Sequence, residues 1–183
     1  MPSNHQDSSK NFNGLFHVSE EAGIELFEPR PSPSFFAEIT ADVVFAIEGR
    51  LLHNYLLPRD CPRVTYYQTD NTTAADKEKF FGESTADFVV IVESGWYERM
   101  KNTTLYCYEL PGHSFTLLDE CAGYHISYDA VAPTAIRPIT DILVELLDRN
   151  VELRFTPSLT KIADAVSKST LNFSIIRMRN AKR

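Results

Sequence analysis

Residues 56–67, Leu-Leu-Pro-Arg-Asp-Cys-Pro-Arg-Val-Thr-Tyr-Tyr, restrict the backbone more than any other stretch of this chain. Pro58 and Pro62 lock their own φ angles and push the residues before them toward extended conformations. The spacing predicts a stiff turn over Arg59, Asp60 and Cys61. A β-strand should follow over 64–67, where branched and aromatic side chains accumulate. Two guanidinium groups flank one carboxylate on that turn. Either Asp60 pairs with Arg59 and Arg63 and pins the turn, or the arginines are held toward an anionic ligand, because their planar fork matches carboxylate and phosphate.

Before the turn, 14–18 reads as a strand carrying His17, and Ser19 opens a short polar turn. Pro29, Pro31 and Pro33 forbid regular structure, so 29–34 is a rigid loop. A buried strand is expected over 42–47. Leu51, Leu52, Tyr55 and Leu56 have helical spacing, which Pro58 ends. After the turn come a helix-compatible insert over 70–81 closed by Gly82, a core strand over 88–92, and a short helix through Met100 capped by Ser94. Strands follow over 103–110 and 115–118. The segments 123–128 and 134–139 are expected to pair with each other around a turn at 129–133. Thr140 is expected to cap a helix over 141–148. A strand at 151–155, a helix at 158–169 and an apolar segment at 171–178 complete the chain. About eight short strands interleaved with short helices define an α+β fold with largely antiparallel sheets. One domain over 14–183 is expected, with 1–13 a polar, disordered tail.

At 183 residues, the chain is long enough for one sizeable core. Its 43% hydrophobic and 23% charged residues are those of an ordinary globular domain. A net charge of −7 argues against a broad nucleic-acid or membrane-binding surface, while leaving room for a local basic pocket. No apolar run approaches the roughly 20 residues that span a bilayer. Cys61, Cys107 and Cys121 share no ligand spacing, which points to free thiols, a cytoplasmic protein and no metal. The signatures of Rossmann-type, P-loop, α/β-hydrolase and zincin enzymes are absent.

Three places hold candidate chemistry. His17 is either a core histidine satisfied by the backbone or an orienting or acid–base group. Residues 118–127 place two carboxylates, a thiol, a phenol, an imidazole and a hydroxyl at the mouth of a strand. There Glu120 is the choice for a base or a ribose-binding acid, with Tyr124 and Ser127 on opposite faces. The alternative is a solvated loop. Arg177 and Arg179 alternate with Ile176 and Met178, so they form a solvated basic tail or fold back to join Arg59 and Arg63. Cys61 is a reactive-thiol candidate if the arginines lower its pKa, and otherwise inert.

The segments Leu-Phe-His-Val-Ser-Glu-Glu at 15–21, Phe-Glu-Pro-Arg at 27–30, Pro-Arg-Asp-Cys-Pro-Arg-Val at 58–64, Leu-Asp-Glu-Cys-Ala-Gly-Tyr at 118–124 and Ser-Ile-Ile-Arg-Met-Arg-Asn at 174–180 resemble a family of small uncharacterised, mostly bacterial proteins with no assigned activity. The order of parts also resembles ADP-ribosyltransferase-type domains. A first strand carries histidine, a strand–helix unit spans 43–55, and a late strand Tyr-His-Ile-Ser precedes the Val-Ala-Pro turn at 131–133. That resemblance implies binding of NAD or a related phosphorylated nucleotide. His17 would hold the ribose, Tyr66 or Tyr124 would stack, and Arg59, Arg63, Ser127 and Arg177 would surround the cofactor. Tyr124 or His125 stands where those enzymes carry glutamate, and Glu120 lies upstream. The alternatives are a non-enzymatic module that takes an anionic small molecule or partner on its arginines, and a phosphate-ester transferase or hydrolase with His17 as acid–base.

Overall fold

The computed structural model describes residues 14–182; the tail expected over 1–13 lies outside the described residues. The fold is a single α+β domain of two sheets. Strands β1 (Leu15–Ser19), β2 (Val44–Glu48), β5 (Leu105–Leu110), β6 (Thr116–Asp119), β7 (Tyr124–Ser127) and β8 (Ala135–Ile139) form a six-stranded antiparallel sheet in the order β6-β7-β2-β1-β5-β8. Strands β3 (Arg63–Tyr67), β4 (Phe88–Glu93), β9 (Val151–Thr156) and β10 (Asn172–Ile176) form a second sheet in the order β10-β3-β4-β9. Here β4 and β9 are parallel, joined by a crossover that includes β5 to β8 and helix α3 (Ile142–Leu147).

Period-two alternation decides which residues each face buries. Phe16, Val18 and Ile47 of the larger sheet and Val90, Val92 and Val151 of the smaller one face each other. Leu51, Leu52, Leu56 and Leu57 fill the space between the sheets. They come from 49–57, which forms a 3-10 helix over Gly49–Tyr55 rather than an α-helix, so its leucines meet both sheets within a short span. Val64, Tyr66, Val89 and Ile91 face the other way and are covered by α1 (Ala74–Phe80) and α4 (Thr160–Ser167). On the far side of the larger sheet, Leu15, Val44, Ala46, Tyr108 and Leu110 pack under Phe27 and Val131.

Several boundaries differ from the sequence expectation. The segments 123–128 and 134–139 do not pair: β7 lies between β2 and β6, and β8 pairs with β5. Apolar alternation identifies a strand but not its neighbour, and here Phe27 and Val131 bridge to each other instead and carry the chain past. Asp141, not Thr140, caps α3, accepting from the Val144 amide at 3.0 Å. Ser94 does not cap α2 (Tyr97–Asn102); it begins a single 3-10 turn leading into that helix. The insert after β3 is helical only from Ala74, where Thr73 caps it by accepting from the Asp76 amide.

Candidate functional site

Strands β1 and β2 pair only at Leu15↔Glu48 and Phe16↔Ile47, although β1 continues to Ser19 along β5. The gap that opens is where His17 sits. Its Nδ1 lies 3.1 Å from the Phe45 carbonyl oxygen, and its ring packs on Phe27 at 4.7 Å between centroids. A carbonyl only accepts, so Nδ1 carries the proton and Nε2 is left as a lone-pair acceptor. Burial lowers the His17 pKa; the Phe45 contact opposes this, and the charges of Arg30 and Arg59 reinforce it. The ring is therefore neutral at pH 7. It is an acceptor for a hydroxyl proton rather than a cation.

On the opposite, inter-sheet face lies a second group. The Tyr55 hydroxyl donates to the Tyr124 hydroxyl at 2.6 Å. Tyr124 heads β7 and meets Phe45 edge-on at 6.1 Å and Phe36 at 6.4 Å, with Phe36 and Phe45 6.3 Å apart. Beside the phenols, the Arg63 guanidinium lies over the Tyr55 ring at 5.3 Å from its centroid. Burial raises the pKa of both phenols, so they stay protonated. Arg177 is close enough for its charge to act on both Tyr55 and Arg63.

Local sequence explains how Arg63 is held. Pro58 and Pro62 frame a turn closed by the Cys61 amide donating to the Pro58 carbonyl at 2.9 Å. That turn aims carbonyls inward: Arg63 Nε donates to the Asn54 carbonyl at 3.0 Å and Nη1 to the Cys61 carbonyl at 2.9 Å. Asp60 is exposed and pairs with neither arginine, so the turn is pinned by backbone acceptors. Arg59 projects outward, its amide donating to Glu20 Oε1 at 2.8 Å. Cys61 is fully buried and its thiol is pushed up to about 12 by burial, against the opposing field of Arg63, which makes it inert at neutral pH.

Among the described residues, Arg30, Arg59, Arg63, Arg177 and Arg179 have no carboxylate partner, whereas Arg50, Arg99, Arg137, Arg149 and Arg154 all do. For a protein of net charge −7, four of these form two local concentrations of positive charge, Arg30 and Arg59 acting on His17, and Arg63 and Arg177 acting on Tyr55.

Not every expected residue reaches this place. Tyr66 faces the other side of its sheet, where its hydroxyl donates to the Phe80 carbonyl at 3.0 Å and accepts from Arg154. Ser127 caps its own turn through Asp129. Glu120 is exposed and lines a groove of about 710 Å³ with Arg50, Tyr67, Asn71, Cys121 and Asn172. The carboxylate whose charge reaches Tyr124 is Asp119, whose Oδ1 also accepts from the Ala122 amide at 3.0 Å. Sequence reasoning passed over Arg30, Phe36, Phe45 and Tyr55. Tyr55 has core spacing on its helix, and only the doubled phenylalanine in a proline-rich loop hinted at Phe36.

Over residues 16–181 the sequence matches a family of unknown function, DUF6886. No curated protein and no solved structure matches it.

Proposed function

The chain belongs to the DUF6886 family, whose function is unknown, and we propose from its own residues that it binds a phosphorylated nucleotide of the NAD and ADP-ribose class. The observation that carries this reading is the placement of Arg177, which has no carboxylate partner among the described residues, beside the buried positive charge of Arg63, the Tyr55–Tyr124 phenols and the Phe36 and Phe45 rings. Guanidinium groups take a phosphate as a bidentate acceptor, and aromatic edges and faces take a base. His17 lies on the opposite face of the larger sheet from these groups, against Phe27. The order of parts, which resembles ADP-ribosyltransferase-type domains, adds to the reading.

Binding is supported better than transfer. An oxocarbenium-like state at the nicotinamide–ribose bond calls for a nearby carboxylate, and each well-placed stabilising group is worth roughly 3–4 kcal/mol. Glu120 stands apart from the phenols, and Asp119 is already engaged by a backbone amide. The test is calorimetric titration of the folded protein with ADP-ribose and NAD, followed by assays for released nicotinamide and phosphate. Heat with both ligands and turnover of neither is expected. Absence of heat at millimolar ligand rejects the proposal, and phosphate release would favour an esterase or phosphotransferase instead.

A further inference from the structure

The end of the chain is tied down at three points. Arg177 follows β10 in the left-handed region at φ 57°, a conformation costly for a residue with a side chain. It begins a tight turn in which the Asn180 amide donates to the Arg177 carbonyl at 2.9 Å. Asn180 Nδ2 then donates to the Asp60 carbonyl at 2.8 Å, joining this turn to the proline-framed one. Two residues on, the Lys182 amide donates to Glu93 Oε1 at 2.9 Å. Glu93 is 1% exposed, a buried carboxylate at the end of β4 next to the β3 strand that starts with Arg63. Burying a carboxylate is costly unless hydrogen bonds compensate it, so this contact fixes the tail where a surface contact would not.

We propose that Asn180 and Glu93 are positioning residues: they clamp the C-terminal turn onto the Arg59–Cys61 turn so that Arg177 receives an anionic group within the field of the buried Arg63 guanidinium. The inference rests on the nucleotide reading above. The strained Arg177 backbone fits it, because the αL residue turns the chain out of β10 and into the two anchoring contacts.

The experiment titrates the full chain with ADP-ribose and with inorganic pyrophosphate, using Asn180→Ala, which removes the donor and adds no charge, Arg177→Ala, and the double variant. Each single change should weaken binding about tenfold, the size expected for one hydrogen bond to a charged group. Asn180→Ala should add nothing once Arg177 is gone, since coupled residues are not additive. Thr73→Ala, which removes the α1 cap and touches neither Asn180 nor Arg177, should keep wild-type affinity and so controls for lost stability. Unchanged affinity in Asn180→Ala, or a full additional loss on top of Arg177→Ala, overturns the clamp. If the wild-type protein binds neither probe, the nucleotide reading falls. Amide exchange then decides the clamp without a ligand: slow exchange at Lys182 that becomes fast in Asn180→Ala and in Glu93→Met, which keeps the bulk and removes the acceptor, supports it, and fast exchange in the wild type overturns it.

Discussion

Arg63 shows how much of one side chain's role is set by backbone groups. Its guanidinium is 3% exposed and satisfies the carbonyls of Asn54 and Cys61, which no other described donor reaches. Arg63→Met keeps the bulk but orphans both acceptors, at about 1–3 kcal/mol each. Urea denaturation should show a loss of at least about 2 kcal/mol; a loss below about 0.5 kcal/mol would mean water replaces the guanidinium freely. The cysteines give a second residue-level prediction. Burial pushes the Cys107 thiol up to about 11 and the Cys61 thiol to about 12, while Cys121 is exposed. A thiol reagent at pH 8 should therefore label one cysteine per folded chain, Cys121, and all three only after denaturation. Labelling of three in the native protein would contradict the burial of Cys61.

Elements were legible where their reason is local and obscure where it is not. The apolar, branched and aromatic runs at 14–18, 42–47, 64–67 and 88–92 announced strands; β3 and β4 are buried on both faces, which is why they read as continuous runs rather than as an alternation. Strand order was not legible: nothing in residues 124–127 says that β2 rather than β8 is the partner, since pairing is settled by packing of distant segments. The same limit applied to the site. Arg59 and Arg63 were singled out together, but Arg59 lies in the exposed turn while Arg63 begins β3, where its side chain is buried. The β6–β7 hairpin, which places Tyr124, shows how one glycine fixes an element. Gly123 has φ +68°, its carbonyl accepts from the Glu48 amide at 2.9 Å, and a Cβ there would stand 3.0 Å from Leu51 Cδ1. Gly123→Ala combines left-handed strain of about 1–2 kcal/mol with a contact that Leu51 must yield to. Its melting point should fall, and Tyr124 should lose its Tyr55 contact, visible as a changed near-ultraviolet tyrosine signal. An unchanged melting curve would show that the hairpin relaxes without cost.

The whole molecule carries a pH dependence that follows from two buried imidazoles. His53 is 2% exposed between the sheets, stacked on Phe88 at 4.2 Å. Burial, reinforced by the charges of Arg149 and Arg50, holds its pKa at about 3, and His17 is lowered for the reasons given above. In the unfolded chain both return to about 6.5. Below that pH the unfolded state binds protons that the folded state refuses, so stability is complete above pH 6.5 and declines as pH falls toward 3. Carboxylates such as Glu152, held low by Arg154, lose their contribution only further down, below their unfolded values near 4. Between pH 6.5 and 5 the histidines therefore dominate, and His53 alone accounts for about 2 kcal/mol over that interval. Denaturation at pH 7.5, 6 and 5 should show the decline, and His53→Phe should reduce its slope by close to one proton whatever the variant does to absolute stability. An identical slope in wild type and variant would mean that His53 is protonated in the folded protein, and the core between the two sheets would have to admit water.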